Sequence, residues 1–151
     1  MLSKKETVAT ALKSAEQGFL CSESVLLALG KCQGASSDLI PRIATGFGAG
    51  FGRAGEVCGA ISGAILGLGI RFGRSVVTKQ PEARRPYWFT MELLDRFKGR
   101  FGSVRCRDLL GLDLSCEADV QRYRDEKLWD TRCRDFVRFV TELAYDLLRN
   151  E

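Results

Sequence analysis

The chain of 151 residues contains no histidine. Histidine is the usual general base of enzymes, the commonest zinc ligand and the axial ligand of many haems. No pair of carboxylates stands at an interpretable spacing either. The sequence therefore argues against a hydrolase or group-transfer enzyme and against an imidazole-ligated haem.

Long apolar runs and a one-sided charge are also absent. The longest apolar run, residues 57–70, is shorter than the twenty or so residues that cross a bilayer, and the first twelve residues have no apolar core of signal-peptide type. The net charge is only +4, with basic and acidic residues interleaved. We therefore expect a cytoplasmic protein without membrane insertion or nucleic-acid binding.

Helical periodicity dominates the chain, and no run of alternating β-branched residues is present. With only three prolines and no linker, residues 1–151 are expected to form one domain. The predicted fold is an all-α, single-domain helical bundle around a central helix with a stripe of glycines.

Capping and stop signals predict where the helices begin and end. Ser3 and Glu6 form a capping box for a first helix that ends at Gly18. Further predicted helices run from about Ser22 to Gly30, from 37 to about 45, and from Pro86 to a stop at Gly99. Ser103 is expected to cap a short helix after that stop, and Asp130 is expected to cap the final helix of the chain. The final helix is amphipathic, with a predicted buried stripe of Phe136, Val137, Val140, Leu143, Ala144, Leu147 and Leu148.

Ten of the sixteen glycines lie within residues 46–73. Gly55, Gly59, Gly63 and Gly67 recur every four residues, a spacing that places them along one helix face. Such a face favours either the close approach of another helix or a groove for a bulky cofactor. In the second interpretation Gly55, Gly59 and Gly63 contact the cofactor.

Residues 50–55 match the pattern GxGxxG, which occurs in dinucleotide-binding folds. Those folds also need a preceding strand and an acidic residue about twenty positions further on. The segment before Gly50 contains Pro41 and few strand formers, and no acidic residue lies between Glu56 and Glu82. We interpret the pattern as a glycine-rich turn that leads into a helix.

The six cysteines include no CxxC pair. In a reducing compartment they are buried packing residues, metal ligands or redox thiols. The helix starts place Cys21, Cys58, Cys106 and Cys133 alike, in or just before a first helical turn, where the helix dipole favours the thiolate. Arg105 and Arg107 are expected to lower the pKa of Cys106 further. Cys32 and Cys116 fall in predicted loops.

The run from Gly46 to Gly73, with CGAxxG at residues 58–63, resembles the family of redox-active proteins labelled C_GCAxxG_C_C. The likeness continues in GFLCSESVLLALG, in FKGRFGSVRCRDLLG and in the late Cys133. It implies that the family's four cysteines are Cys21, Cys58, Cys106 and Cys133, with Cys116 as a competitor for the last position. The family is also similar to the cluster-bearing part of split-Soret cytochrome c, a dimer with haem and a [2Fe–2S] centre. The haem signature CxxCH is absent here, so the resemblance implies a cluster, without haem, and a homodimer.

Three functions remain open from the sequence. In the first, the four thiolates bind a [2Fe–2S] cluster or a metal ion for electron transfer or redox sensing with a partner protein. In the second, two of the same cysteines cycle between dithiol and disulfide without a cofactor. In the third, the chain is a helical interaction module whose cysteines are inert.

Overall fold

The computed structural model describes residues 1–150, and within that range the chain is all-α, as predicted. It contains no β-strand there, only an isolated antiparallel bridge between Val57 and Arg105. The α-helices are α1 (Lys4–Glu16), α2 (Cys21–Cys32), α3 (Gly48–Phe51), α4 (Gly59–Phe72), α5 (Arg85–Phe101), α6 (Cys106–Leu110), α7 (Glu117–Asp125) and α8 (Arg134–Arg149). Two 3₁₀ helices (Arg42–Phe47 and Pro81–Arg84) and one π-helical turn (Trp129–Cys133) complete the secondary structure of these residues.

The first helix begins as its capping box predicts. The Glu6 backbone N–H donates to Ser3 Oγ at 3.2 Å, and the Ser3 N–H donates to a Glu6 carboxylate oxygen at 2.8 Å. Val8, Ala11 and Leu12 are buried, and the helix contacts α2 and α8. The capping box therefore predicts where α1 begins, and the apolar pattern predicts which of its faces is buried.

Helix α8 closes the bundle against α1, α2, α4 and α5. All seven residues of its predicted stripe are buried. Phe136, in the first turn, packs against Phe101 of α5 with ring centroids 4.9 Å apart. The 3.6-residue periodicity thus identified the buried face correctly.

Helix α4 lies at the centre of the bundle, in contact with α2, α5 and α8. Its glycines allow α2 to approach closely, since a Cβ at Gly63 would collide with the Ser22 backbone and one at Gly67 would reach Leu29. The predicted membership of Gly55 in this stripe is wrong. Helix α4 begins only at Gly59, and Gly55 precedes it with a φ of +75°.

Several predicted helix ends are also wrong. Helix α2 continues through Gly30 to Cys32, and α5 continues through Gly99 to Phe101, where Gly102 ends it with a φ of +90°. The extra turn of α5 is held by packing between helices, because the Phe101 ring lies against the Phe136 ring of α8, with centroids 4.9 Å apart. Favourable tertiary contacts outweigh the cost of a glycine inside a helix, at most about 1 kcal/mol.

The predicted caps of the last two segments are corrected as well. Helix α6 begins at Cys106, two residues later than a Ser103 cap implies, and Ser103 Oγ accepts a hydrogen bond from the Arg105 N–H at 3.1 Å. Asp130 lies inside the π-helical turn.

Two further elements differ from the prediction. The predicted helix near residues 37–45 is replaced by the 3₁₀ helix Arg42–Phe47, and α7 was not predicted at all. Among residues 1–150, none of the helices has the length and apolarity needed to span a membrane.

Candidate functional site

Two distant segments meet beside Cys58 and Cys106. The Cys58 N–H donates to the Val104 carbonyl at 2.8 Å, and the Cys106 N–H donates to the Glu56 carbonyl at 2.7 Å. These bonds flank the bridge between Val57 and Arg105. The pairing sets Cys58, the residue before α4, next to Cys106, the first residue of α6.

The loop that precedes this bridge contains the short element α3, whose backbone is left-handed and not that of a regular right-handed α-helix. Six residues there have φ between +55° and +75°, a region that side chains larger than hydrogen occupy at a cost. They are Ala49, Gly50, Phe51, Gly52, Arg53 and Gly55. At Gly50 a Cβ would lie 2.7 Å from the Glu56 backbone and 2.8 Å from Cys106 Cβ, so this position lacks room as well as requiring a positive φ. The loop therefore packs its backbone directly against the segment that holds Cys106.

Cys21 is the first residue of α2 and meets the start of α4. Its sulfur occupies the space that a Cβ at Gly59 would need. Burial raises the pKa of this thiol, and hydrogen bonding from the backbone of Ala49, Ser22 and Ala60 opposes the rise. The glycine at position 59 is thus what allows the Cys21 thiol to lie beside Cys58.

Cys133 reaches the same region from the far end of the chain. It is the last residue of the π-helical turn, a type of distortion that often occurs at functional sites. Arg132 anchors this turn by donating to the Leu109 carbonyl at 2.9 Å. Burial raises the pKa of the Cys133 thiol, and hydrogen bonding with Tyr123, from α7, opposes the rise.

All four cysteines line one cavity of about 360 Å³. Its other walls are mainly apolar and aromatic, and two arginines, Arg53 and Arg124, also line it. No carboxylate side chain is among the lining residues that the structure describes. The apolar and aromatic lining includes Phe19, Leu20, Leu109, Leu110, Leu114, Val120, Tyr123, Trp129, Phe136 and Val137.

The two remaining cysteines lie elsewhere: Cys32 is in a helix and not in the predicted loop, whereas Cys116 is in a loop as predicted, at the last residue before α7. Cys32 is the last residue of α2 and is buried near the Leu2 carbonyl. Cys116 caps the start of α7, so it shares the helix-start placement of the four, but it is exposed and does not line the cavity. A helix start alone therefore does not identify the cavity cysteines.

The electrostatics of the four thiols differ from the prediction. Burial raises the pKa of every one: to about 11 for Cys106, to about 12 for Cys133, and upward for Cys21 and Cys58. The neighbouring thiols raise the pKa of Cys58, Cys106 and Cys133 further, because adjacent thiolates repel one another. Desolvation thus outweighs the helix dipole in the metal-free chain.

The arginines expected to lower the pKa of Cys106 are engaged elsewhere. Arg105 pairs with Glu56 at 3.5 Å, and the Arg107 guanidinium donates to the Ala54 carbonyl at 3.3 Å. Neither is among the causes that shift the pKa of Cys106. Although both arginines are next to Cys106 in the sequence, their charges therefore do not lower the pKa of its thiol.

The three glycines predicted to contact a cofactor lie in different surroundings. Gly59 lines the cavity, whereas Gly63 faces the Ser22 backbone and Gly55 faces the Arg107 side chain. Sequence reasoning missed Tyr123 and Trp129, which line the cavity from α7 and the π-helical turn. A tyrosine in a polar, charged segment carries no local signal of this role.

The thiols surround the cavity without converging on one point. Within residues 1–150 all six cysteines are free, and no three Cys, Asp or Glu side chains are grouped tightly enough to hold one metal ion. The structure therefore defines an all-α protein, within residues 1–150, with four free cysteines around a mostly apolar cavity.

A family model described as "Putative redox-active protein (C_GCAxxG_C_C)" matches residues 19–147. The chain belongs to this family, as the resemblance indicated. The family's signature has glycine before cysteine, whereas this chain has Cys58 before Gly59, followed by the same alanine and glycine spacing. Comparisons with curated proteins and with solved structures gave no match.

Proposed function

We propose that Cys21, Cys58, Cys106 and Cys133 hold an iron–sulfur cluster, of the [2Fe–2S] type, and that the protein transfers electrons or senses redox state. The observation that carries the proposal is that these four thiols, from four separate elements, line a single cavity. Membership of a family described as redox-active supports it. Cysteine thiolates are the standard ligands of such clusters.

The residues of the cavity fit a cluster better than a single ion. A tetrahedral zinc ion needs all four sulfurs about 2.3 Å from one point, and no such tight group is present among residues 1–150. A cluster with two irons is larger and takes two thiolates on each iron, so its ligands can stand further apart. Carboxylates, which would favour other metal ions, are absent from the residues of 1–150 that line the cavity, and the chain has no histidine.

The chain's own groups would control the centre's environment. The four cysteine sulfurs would ligate the irons of a [2Fe–2S] cluster, which would supply one-electron transfer. Hydrogen bonding from the backbone of Ala49 and Ala60 acts on the pKa of Cys21, hydrogen bonding from Tyr123 acts on that of Cys133, and the walls of the cavity are mainly apolar. Hydrogen bonds to the sulfurs and exclusion of solvent are the features by which proteins set the reduction potential of a cluster.

The test is purification without oxygen, followed by iron and sulfide analysis and an ultraviolet–visible spectrum. About two irons and two sulfides per chain are expected, the content of one [2Fe–2S] centre. Cys58→Ala and Cys106→Ala should lose the iron. The exposed Cys116→Ala is the matched control and should keep it.

Wild-type protein that stays free of iron after anaerobic reconstitution with ferrous iron and sulfide would reject the cluster. Equal iron in Cys58→Ala, Cys106→Ala and wild type would reject the assignment of ligands. Circular dichroism should show that each variant is folded before its iron content is interpreted.

One observation favours a second candidate, a dithiol formed by Cys21 and Cys58 without a cofactor. After burial, the Cys21 thiolate is the largest cause that raises the pKa of Cys58, which indicates that this pair is close. Oxidation would form one S–S bond and release two electrons and two protons to an acceptor. Diamide can serve as that acceptor, and peptide mass spectrometry should then find Cys21 linked to Cys58 in iron-free protein. Both candidates imply a redox partner protein.

A further inference from the structure

Helix α5 carries large apolar side chains on two opposite faces. Leu93 and Phe97 are buried against the bundle. On the other side Tyr87, Trp88 and Met91 are 73%, 59% and 56% exposed. A surface helix normally has one apolar face, and an exposed cluster of large apolar side chains marks an interaction surface.

Two charges flank this exposed cluster on the same face. Arg84 is the last residue of the preceding 3₁₀ helix and the N-cap of α5, and its αR backbone angles continue the turn of the helix. It is spaced from Trp88, Met91 and Asp95 of α5 by four, three and four residues in succession, which places the four along a stripe about 60° wide at 100° per residue. The only ion pair within α5 among residues 1–150 joins Glu92 and Arg96, at 3.6 Å. The Arg84 and Asp95 side chains make no ion pair or hydrogen bond within that range. The stripe therefore begins with an unpaired cation and ends with an unpaired anion.

The order of these four residues is self-complementary. When two copies of the stripe are placed antiparallel about their midpoint, Trp88 of one copy faces Met91 of the other, and Arg84 of one faces Asp95 of the other. A two-fold axis repeats both contacts, as an isologous interface requires. We propose that the exposed face of α5 is a homodimer interface formed by this pairing.

The expected dimer is weak and separate from the cysteine cavity. The stripe spans roughly 17 Å at 1.5 Å per residue, so the buried area falls at the lower end of specific interfaces and the association depends on concentration. No residue of α5 lines the cavity. The interface therefore stands or falls independently of the cluster proposal.

Sedimentation velocity of the full chain, from about 1 to 200 µM, tests the proposal. A reductant keeps the exposed Cys116 from cross-linking two copies. Wild type should shift from monomer to dimer across this range. Trp88→Ala should weaken the association by about tenfold or more, because a central aromatic residue usually dominates an interface.

Charge exchange gives the sharper result. Arg84→Glu and Asp95→Arg should each weaken self-association about tenfold, since each places like charges opposite one another twice. The double variant should restore it, and an equimolar mixture of the two single variants should form heterodimers, because opposite charges face one another again. Arg138→Glu, at an exposed position of α8 that has no partner within residues 1–150, is the matched control and should not change it.

A chain that stays monomeric at about 200 µM would overturn the proposal. A dimer unaffected by Trp88→Ala would place the interface elsewhere and overturn it as well. Single charge variants whose defects are not relieved in the mixture would show that the antiparallel pairing is wrong. Circular dichroism checks that each variant is folded.

Discussion

The two halves of the glycine-rich segment use glycine for different physical reasons. In the loop before α4, Gly50, Gly52 and Gly55 have φ above +60° and supply conformational freedom. Within α4, Gly59 and Gly63 have ordinary helical conformations and supply the absence of volume, because α2 occupies the space of their side chains. One composition therefore serves a backbone requirement in one half and a packing requirement in the other.

Both halves also build the wall of the cysteine cavity. Gly50 of the loop lies against Cys106, and Gly59 of the helix lies against Cys21. In both halves, therefore, a glycine shapes the site because its backbone can lie directly against a cysteine side chain, whether or not the glycine contacts a cofactor. Substitutions that add side-chain volume without changing the backbone requirement, or the reverse, can test this distinction.

Gly63→Leu should have the largest effect. A side chain there collides with the backbone of Ser22, which cannot rotate away, so the free energy of unfolding should fall by about 3 kcal/mol or more. Urea denaturation measures it. Gly69→Leu is the matched control in the same helix, because a Cβ at Gly69 meets nothing within 4 Å. A similar loss in both variants would show that close packing is not what requires Gly63.

The next largest effect should be a difference in alkylation rate between the cysteines of the cavity and the exposed Cys116. At pH 8, a pKa of about 11 leaves Cys106 with roughly one thiolate per thousand molecules, against about one in four for a thiol of ordinary pKa near 8.5. Iodoacetamide should therefore modify the exposed Cys116 first in reduced, metal-free protein, and Cys106 more than about a hundredfold more slowly than an ordinary thiol.

The pH dependence has a definite sign. Because the pKa of Cys106 is raised, its thiolate fraction and its alkylation rate should rise about tenfold per pH unit until the pH reaches about 11. Peptide mass spectrometry follows each cysteine separately. Modification of Cys106 as fast as Cys116 at pH 8 would contradict the raised pKa.

Gly50→Ala should cost about 2 kcal/mol, because it combines a positive φ with a collision against the Glu56 backbone. It should also make Cys106 react faster with iodoacetamide, since the loop covers that side chain. Gly111→Ala is the matched control, having a φ of +65° but no atom within 4 Å of the added Cβ. An equal loss of stability in both variants would mean that the volume at Gly50 is unimportant.

Ala49→Gly should have the smallest effect and the opposite sign. Ala49 has a φ of +55°, so glycine there relieves strain of about 1 kcal/mol and should raise the free energy of unfolding. Ala9→Gly, at an exposed position of α1, should lower it by up to about 1 kcal/mol through helix propensity. Destabilisation by Ala49→Gly would show that the loop is not strained at this residue.

Local signals predicted part of the fold well. The Ser3 and Glu6 capping box and the α8 stripe depend on residues three to four positions apart, and both are found as expected. The helix ends predicted at Gly30 and Gly99 are too early, because glycine is a weak stop when a later side chain is buried, as Cys32 is, or packs against another helix, as Phe101 does. Helix α7 was missed because only Val120 of its nine residues is buried, which leaves no apolar periodicity.

The sequence by itself determined the all-α class, the absence of imidazole ligands and the presence of cysteines at helix starts, since each depends on composition or on short-range spacing. Tertiary structure decided which cysteines share a cavity and whether their thiols ionise easily. Cys116 has the same helix-start placement as Cys58 but remains exposed, and Cys106 lies beside two arginines in sequence but has a raised pKa. Burial and the meeting of distant segments depend on contacts between residues far apart in the chain, and no local pattern encodes them.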